Sequence, residues 1–132
     1  MKREGVPLLI ALVAFVIVIG VTVAFGATNS VPSSAVEVPG GSPARGVEAI
    51  GRYGCGSCHL IPGIDGANGL VGPPLIHWAD RKTIAGELPN ETAALIHWIQ
   101  DPQDVEPGTD MPDLGVSEQE ARDIAAYLFT LH

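Results

Sequence analysis

The chain has 132 residues, 46% of them hydrophobic and 17% charged, with 7 basic and 15 acidic side chains and a net charge of −8. That length holds one domain of ordinary size, or a smaller domain with an appendage. Nucleic-acid binding needs a cationic face that displaces counterions, and a chain this acidic excludes it.

Lys2 and Arg3 precede an apolar run from Val6 to Ala27 that contains no charged residue. As a helix this run reaches about 33 Å, enough for a hydrocarbon core of roughly 30 Å. Pro7 falls in the first turn, where its missing N–H costs nothing. The competing reading is a cleaved signal peptide ending near Ala24-Phe25-Gly26, but an apolar signal region usually has only about 7–15 residues. No cysteine lies beside the run, which excludes a lipoprotein anchor. Residues 1–27 are therefore expected to form a cytoplasmic tip and one transmembrane helix. Lys2 and Arg3 place the N-terminus in the cytoplasm and the remainder outside it. Residues 28–43 (TNSVPSSAVEVPGGSP) mix Ser, Pro and Gly with a single charge and read as a tether, about 50 Å long when fully stretched.

Residues 44–132 form the expected domain, with 13 acidic and 5 basic side chains and 11 of the chain's 16 glycines. So loop-rich a composition in so small a domain suggests an interior filled by more than side chains. Four helical stretches and no convincing strand are readable, which makes the fold class all-α. The first helix covers residues 44–53. A weak one follows Asp80, at residues 81–85. The third covers residues 91–100, with Asn90 as N-cap and Asp101-Pro102 as the stop, and an apolar face of Ala94, Leu95, Trp98 and Ile99. The fourth opens with the capping box Ser117-Glu118-Gln119-Glu120. Val116 and Ala121 are spaced for a hydrophobic staple, and Ala121, Ile124, Ala125 and Leu128 form the buried stripe. Loops at residues 54–80 and 102–115 connect these helices.

Cys55-Gly56-Ser57-Cys58-His59 is the C-x-x-C-H attachment signature for c-type haem. Two thiols three apart at a helix end can bond both vinyl groups of one porphyrin, which leaves His59 under the iron. A dithiol redox pair normally accompanies a βαβ pattern, absent here, and structural zinc needs a second ligand pair, also absent. For the sixth iron ligand the chain offers Met111, in the polar loop Pro107-Gly108-Thr109-Asp110-Met111-Pro112, because Met1 lies across the membrane. A lone methionine is often core filler, but a polar loop is a poor place for that. His77, His97 and His132 are the rival ligands.

With these motifs in order, residues 44–132 resemble a class I c-type cytochrome. Gly46 and Ile50 match the small and apolar positions of that family's first helix. Gly72-Pro73-Pro74-Leu75 is similar to its G-P-x-L turn, followed by Arg81-Lys82. Leu95-Ile96-His97-Trp98-Ile99-Gln100-Asp101-Pro102 resembles the helix ahead of the methionine loop, and Ile124 and Tyr127 fall where the last helix crosses the first. The resemblance implies one covalent haem c, with Cys55 and Cys58 as thioether positions and His59 and Met111 as iron ligands. It also implies that the Pro73 carbonyl accepts from His59 Nδ1–H, and that Arg81, Trp98 and Thr109 lie near the propionates.

The function so implied is single-electron transfer without enzymatic turnover and without a small-molecule substrate. The expected setting is the extracytoplasmic (periplasmic) face of a bacterial cytoplasmic membrane. There the protein would run between a quinol-oxidising complex and a terminal oxidase or photosynthetic reaction centre. Its partners would be redox proteins with a basic docking surface, meeting a flat patch around Gly56, Ile64, Ala67 and Val71. Two alternatives are a fixed haem subunit of a larger complex and a haem-based sensor or peroxidase whose Met111 leaves. The chain differs from lysine-rich mitochondrial carriers in being acidic and anchored, which leaves the partner open.

Overall fold

In the computed structural model, which describes residues 36–132, the first helix, α1, runs Pro43–Tyr53. The apolar run expected to cross a membrane lies outside the described residues, as does the first half of the tether. Among the described residues no helix is long and apolar enough to span a bilayer. The Ser42 side chain caps α1, Pro43 occupies its first turn, and Gly54 ends it in the left-handed conformation. A single 3-10 turn, Cys55–Ser57, follows at once.

From there to His77 the chain makes no helix, and hydrogen bonds across the loop hold it instead. Gly72 N–H donates to Cys58 O at 2.9 Å and Leu75 N–H to Leu60 O at 2.8 Å. Leu60 and Asn68 form an isolated antiparallel bridge. After a second 3-10 turn at Trp78–Asp80 come two short strands, β1 (Thr83–Ile84) and β2 (Leu88–Pro89). They pair antiparallel, Thr83 against Pro89 and Ile84 against Leu88. Then follow α2 (Thr92–Gln100), the short α3 (Pro102–Val105) and α4 (Glu118–Leu128).

The architecture is thus short helices and long loops, as expected for the cytochrome c class. Three local expectations fail. No strand is expected from the sequence, yet the two-residue strands β1 and β2 pair where the chain doubles back. Residues 81–85 are not helical: Ala85 and Gly86 both have positive φ, and with Glu87 they turn the chain between β1 and β2. Asn90 does not cap α2; Glu91 holds that position without a side-chain bond. The Asn90 amide is spent elsewhere, donating to Trp78 O at 2.9 Å and Arg81 O at 3.3 Å, so it ties the hairpin to the turn before it.

The packed region begins earlier than residue 44. Val38 is buried, and a side chain on Gly41 would meet Arg122 O at 2.7 Å. The core is built where α1, α2 and α4 meet, around Ile50, Leu95, Ile124, Leu128 and Phe129. All four stripe residues of α4 are buried, and the capping box forms, with the Ser117 hydroxyl accepting from Glu120 N and the Glu120 carboxylate from Ser117 N. At the crossing of α1 and α4 the backbones nearly touch. A Cβ at Gly46 would collide with the Asp123 carbonyl and stand 2.9 Å from Tyr127 Cβ. Only glycine permits that approach.

Candidate haem site

One cavity of about 540 Å³ opens between α1, the loop after it, α2, the methionine loop and α4. Its walls carry Cys55, Cys58, His59 and Met111 together with Pro73, Arg81, Trp98 and Thr109, so the eight residues expected to hold or surround a haem border one space. The remaining walls are largely apolar, with Ile50, Leu95, Ile99, Ile124 and Leu128 facing it.

His59 is held in one orientation. Its Nδ1 lies 2.8 Å from the Pro73 carbonyl, which can only accept. Nδ1 therefore carries the ring hydrogen, and Nε2 keeps its lone pair for a metal. On the ring's other side runs Gly72, where a Cβ would stand 2.7 Å from Nδ1 and 2.9 Å from Nε2. Cys55 and Cys58 are not joined in a disulfide, and both stand partly buried on the cavity wall.

The three rival histidines do not border the cavity. His97 points outward from α2, with Nε2 3.0 Å from Asp104. His77 and His132 both approach Asp80 on the surface, at 3.9 and 3.7 Å. Arg81 spends its guanidinium on the Pro74 and Ile76 carbonyls and stacks 5.0 Å from the Trp78 ring centre. Thr109 Oγ1 accepts from Met111 N–H at 3.4 Å.

Two site residues were not singled out from the sequence. Trp78 borders the cavity, and its buried indole N–H has no hydrogen-bond partner among the described residues. Leu70, beside Val71, is strongly exposed, whereas Ala67, expected in the contact patch, is buried. Gly56 and Ala67 turn toward each other, a Cβ on Gly56 falling 2.6 Å from Ala67 Cβ, and of the two only Ala67 is removed from the surface.

Comparison with known proteins agrees with this geometry. The cytochrome c family model matches residues 43–132, and the chain belongs to that family. Among curated proteins, cytochrome c oxidase subunit 2 of Alkalihalophilus pseudofirmus is 34% identical over 88 residues, which cover 66% of this chain and 25% of that relative. The chain thus spans about a quarter of the length of the relative it matches. No solved structure matches it.

The family's prosthetic group is haem c, an iron porphyrin attached covalently. The residues present fit such a group. The cavity is largely apolar, two cysteines and an oriented imidazole stand on its wall, and a buried N–H beside it lacks an acceptor among the described residues. Haem c supplies the one-electron ferric/ferrous couple, and the domain's role is haem-based electron transfer.

Proposed function

We propose that this protein carries single electrons along a bacterial cytoplasmic membrane, on its extracytoplasmic side, from a quinol-oxidising complex to a terminal oxidase or photosynthetic reaction centre. Cys55 and Cys58 would hold the thioethers, and His59 and Met111 the two axial positions. The observation that carries this reading is the composition of the cavity wall: both thiols, one histidine and one methionine border it, and the other histidines do not.

With a side chain for each axial position, no coordination site is left for a substrate, so no turnover is expected. Methionine opposite histidine favours the reduced state and raises the potential relative to two histidines. The remaining residues keep this pair in place. Pro73 O fixes the His59 ring, and the apolar wall of α2 and α4 excludes water. Arg81, Trp98 and Thr109 would stand nearest the propionates.

The haem edge beside Cys55 and Cys58 would be the route for the electron, and the exposed pair Leu70 and Val71 offers an apolar contact near it. A partner with a basic rim suits the acidic surround. The apolar run of residues 6–27 supports a membrane anchor, so protein taken from its native membrane should retain residues 1–27 and resist carbonate extraction. A mature N-terminus near Ala27 in a soluble fraction would defeat the anchor.

The test of the ligand set is Met111→Ala. It should keep covalent haem, lose the thioether-to-ferric-iron absorption band and lower the potential. An unchanged band would remove Met111 from the site. Ferrous protein that binds carbon monoxide without denaturant would favour the sensor reading. A second reading, a fixed subunit of a larger respiratory complex, is favoured by the similarity to an oxidase subunit. Purification in mild detergent decides between them: a stable complex indicates the subunit, and isolated protein the mobile carrier.

A further inference from the structure

The loop that carries Met111 has little structure of its own. Between Glu106 and Pro112 the backbone closes one internal bond, Thr109 N–H to Glu106 O at 3.0 Å, and Thr109 Oγ1 adds the bond to Met111 N–H. Glu106 N–H also donates to Pro102 O at 2.9 Å, and beyond that one side chain outside the loop holds it. Gln103 Nε2 donates to Thr109 O at 2.8 Å and to Met111 O at 3.1 Å, while its Oε1 accepts from Gly108 N–H at 3.1 Å. Both amide hydrogens and the carbonyl are used, and the group cannot be flipped. Rotation by a half-turn would aim NH₂ at an N–H and the carbonyl at two carbonyls. Gln103 does not border the cavity.

Its own position is fixed. Asp101 caps α3 by accepting from Asp104 N–H at 3.0 Å, Pro102 is buried in the core side of that turn, and Asp104 pairs with His97 on α2. The brace is therefore mounted on a helix, not on the loop itself.

We propose that Gln103 is the positioning residue of the methionine loop: it clamps the backbone of Gly108, Thr109 and Met111 so that the Met111 thioether stays presented to the cavity. By that clamp it sets how readily an outside ligand displaces the thioether. The proposal rests on Met111 being the axial ligand, and the test separates the two.

The experiment uses full-length holoprotein, wild type beside Gln103→Leu, Gln103→Glu and Gln103→Asn. Ferric protein is titrated with imidazole while the thioether–iron absorption band is followed, and exchange of the Gly108 amide hydrogen is measured by NMR. Gln103→Leu keeps an apolar stem one atom shorter and removes every hydrogen bond of the amide. It should keep the band in the absence of imidazole, lose it at about tenfold lower imidazole, and exchange the Gly108 hydrogen faster, corresponding to about one net hydrogen bond. Gln103→Glu can still accept from Gly108 N–H but sets a carboxylate against two carbonyls. At pH 7 it should lose the band at lower imidazole than wild type, as the leucine variant does, while its Gly108 hydrogen stays protected because that acceptor is kept. A general loss of stability would quicken the Gly108 exchange as well. If the leucine variant fails to fold, Gln103→Asn, whose amide falls one methylene short, takes its place with the same expected shift. An imidazole midpoint within twofold of wild type overturns the proposal. A wild-type protein that shows no thioether band at all overturns the ligand assignment instead.

Discussion

His59 is gripped from two sides, by the Pro73 carbonyl on Nδ1 and by the bare backbone of Gly72 along the ring. Gly72→Ala therefore forces either the ring or the loop to move. It should lower the yield of covalently loaded protein several-fold, read as the ratio of haem to protein absorbance. A normal ratio would show that the loop yields freely. At this scale the sequence is legible where identity and spacing carry the chemistry, as in Cys55, Cys58 and His59. It is less so where a partner is distant. His77, His97 and His132 could not be dismissed until their surroundings were known, because a histidine's spacing from Cys58 says nothing of which way it faces. Gln103 carried no signal. An exposed glutamine declares its three bonds only once the path of the loop beside it is known.

Among the elements, the crossing of α1 and α4 is the structural centre, and two features of it are testable. Gly46→Ala drives a Cβ into the Asp123 carbonyl, and separating the helices to relieve it should cost about 1–3 kcal/mol in denaturant unfolding. A change below about 0.5 kcal/mol would mean that the crossing is loose. The same crossing is tied by Asp123, almost fully buried, which accepts from Ser42 N–H at 2.8 Å and from Arg45 Nε and Nη2, both at 2.8 Å. The Arg45 guanidinium beside it holds the Asp123 carboxyl below the usual aspartate range, and the Ser117 hydroxyl does the same for Glu120. Carboxylates with depressed folded values give stability that is complete above about pH 5 and is lost as the pH falls through those values. Asp123→Asn keeps much of the shape and removes the charge. It should flatten that acid limb and cost about 1–2 kcal/mol at pH 7, since Arg45 is half exposed and its attraction is screened. A variant as acid-sensitive as wild type would assign the limb to other carboxylates. The α4 cap was readable because all its atoms lie within four residues. The expected helix at residues 81–85 and the Asn90 cap failed for the opposite reason: the Asn90 amide reaches back to Trp78 and Arg81, a tertiary contact that outweighs local propensity.

Over the whole molecule the charge of −8 is unevenly offset. Arg45, Arg52 and Arg122 are paired with Asp123, Glu120 and Glu118, and Arg81 is occupied by backbone carbonyls. Lys82 is in no ion pair among the described residues. Meanwhile Glu106 and Asp110 border the cavity on the loop that carries Met111, so carboxylates unpaired among the described residues stand at its rim. Exposed charges act over about 8–10 Å at 0.1–0.15 M salt, so these two act on a reagent that reaches the rim of the cavity beside them. The sign of the salt effect then depends on the reagent. Oxidation by a cationic metal complex should slow as ionic strength rises, and oxidation by ferricyanide should quicken, because salt screens an attraction in one case and a repulsion in the other. Replacing Glu106 and Asp110 together by Gln and Asn should shrink both slopes and leave the thioether band in place. Slopes that are flat for both reagents in the unaltered protein would mean that the acidic surface serves solubility alone, and that a basic partner is not what this domain is shaped to meet.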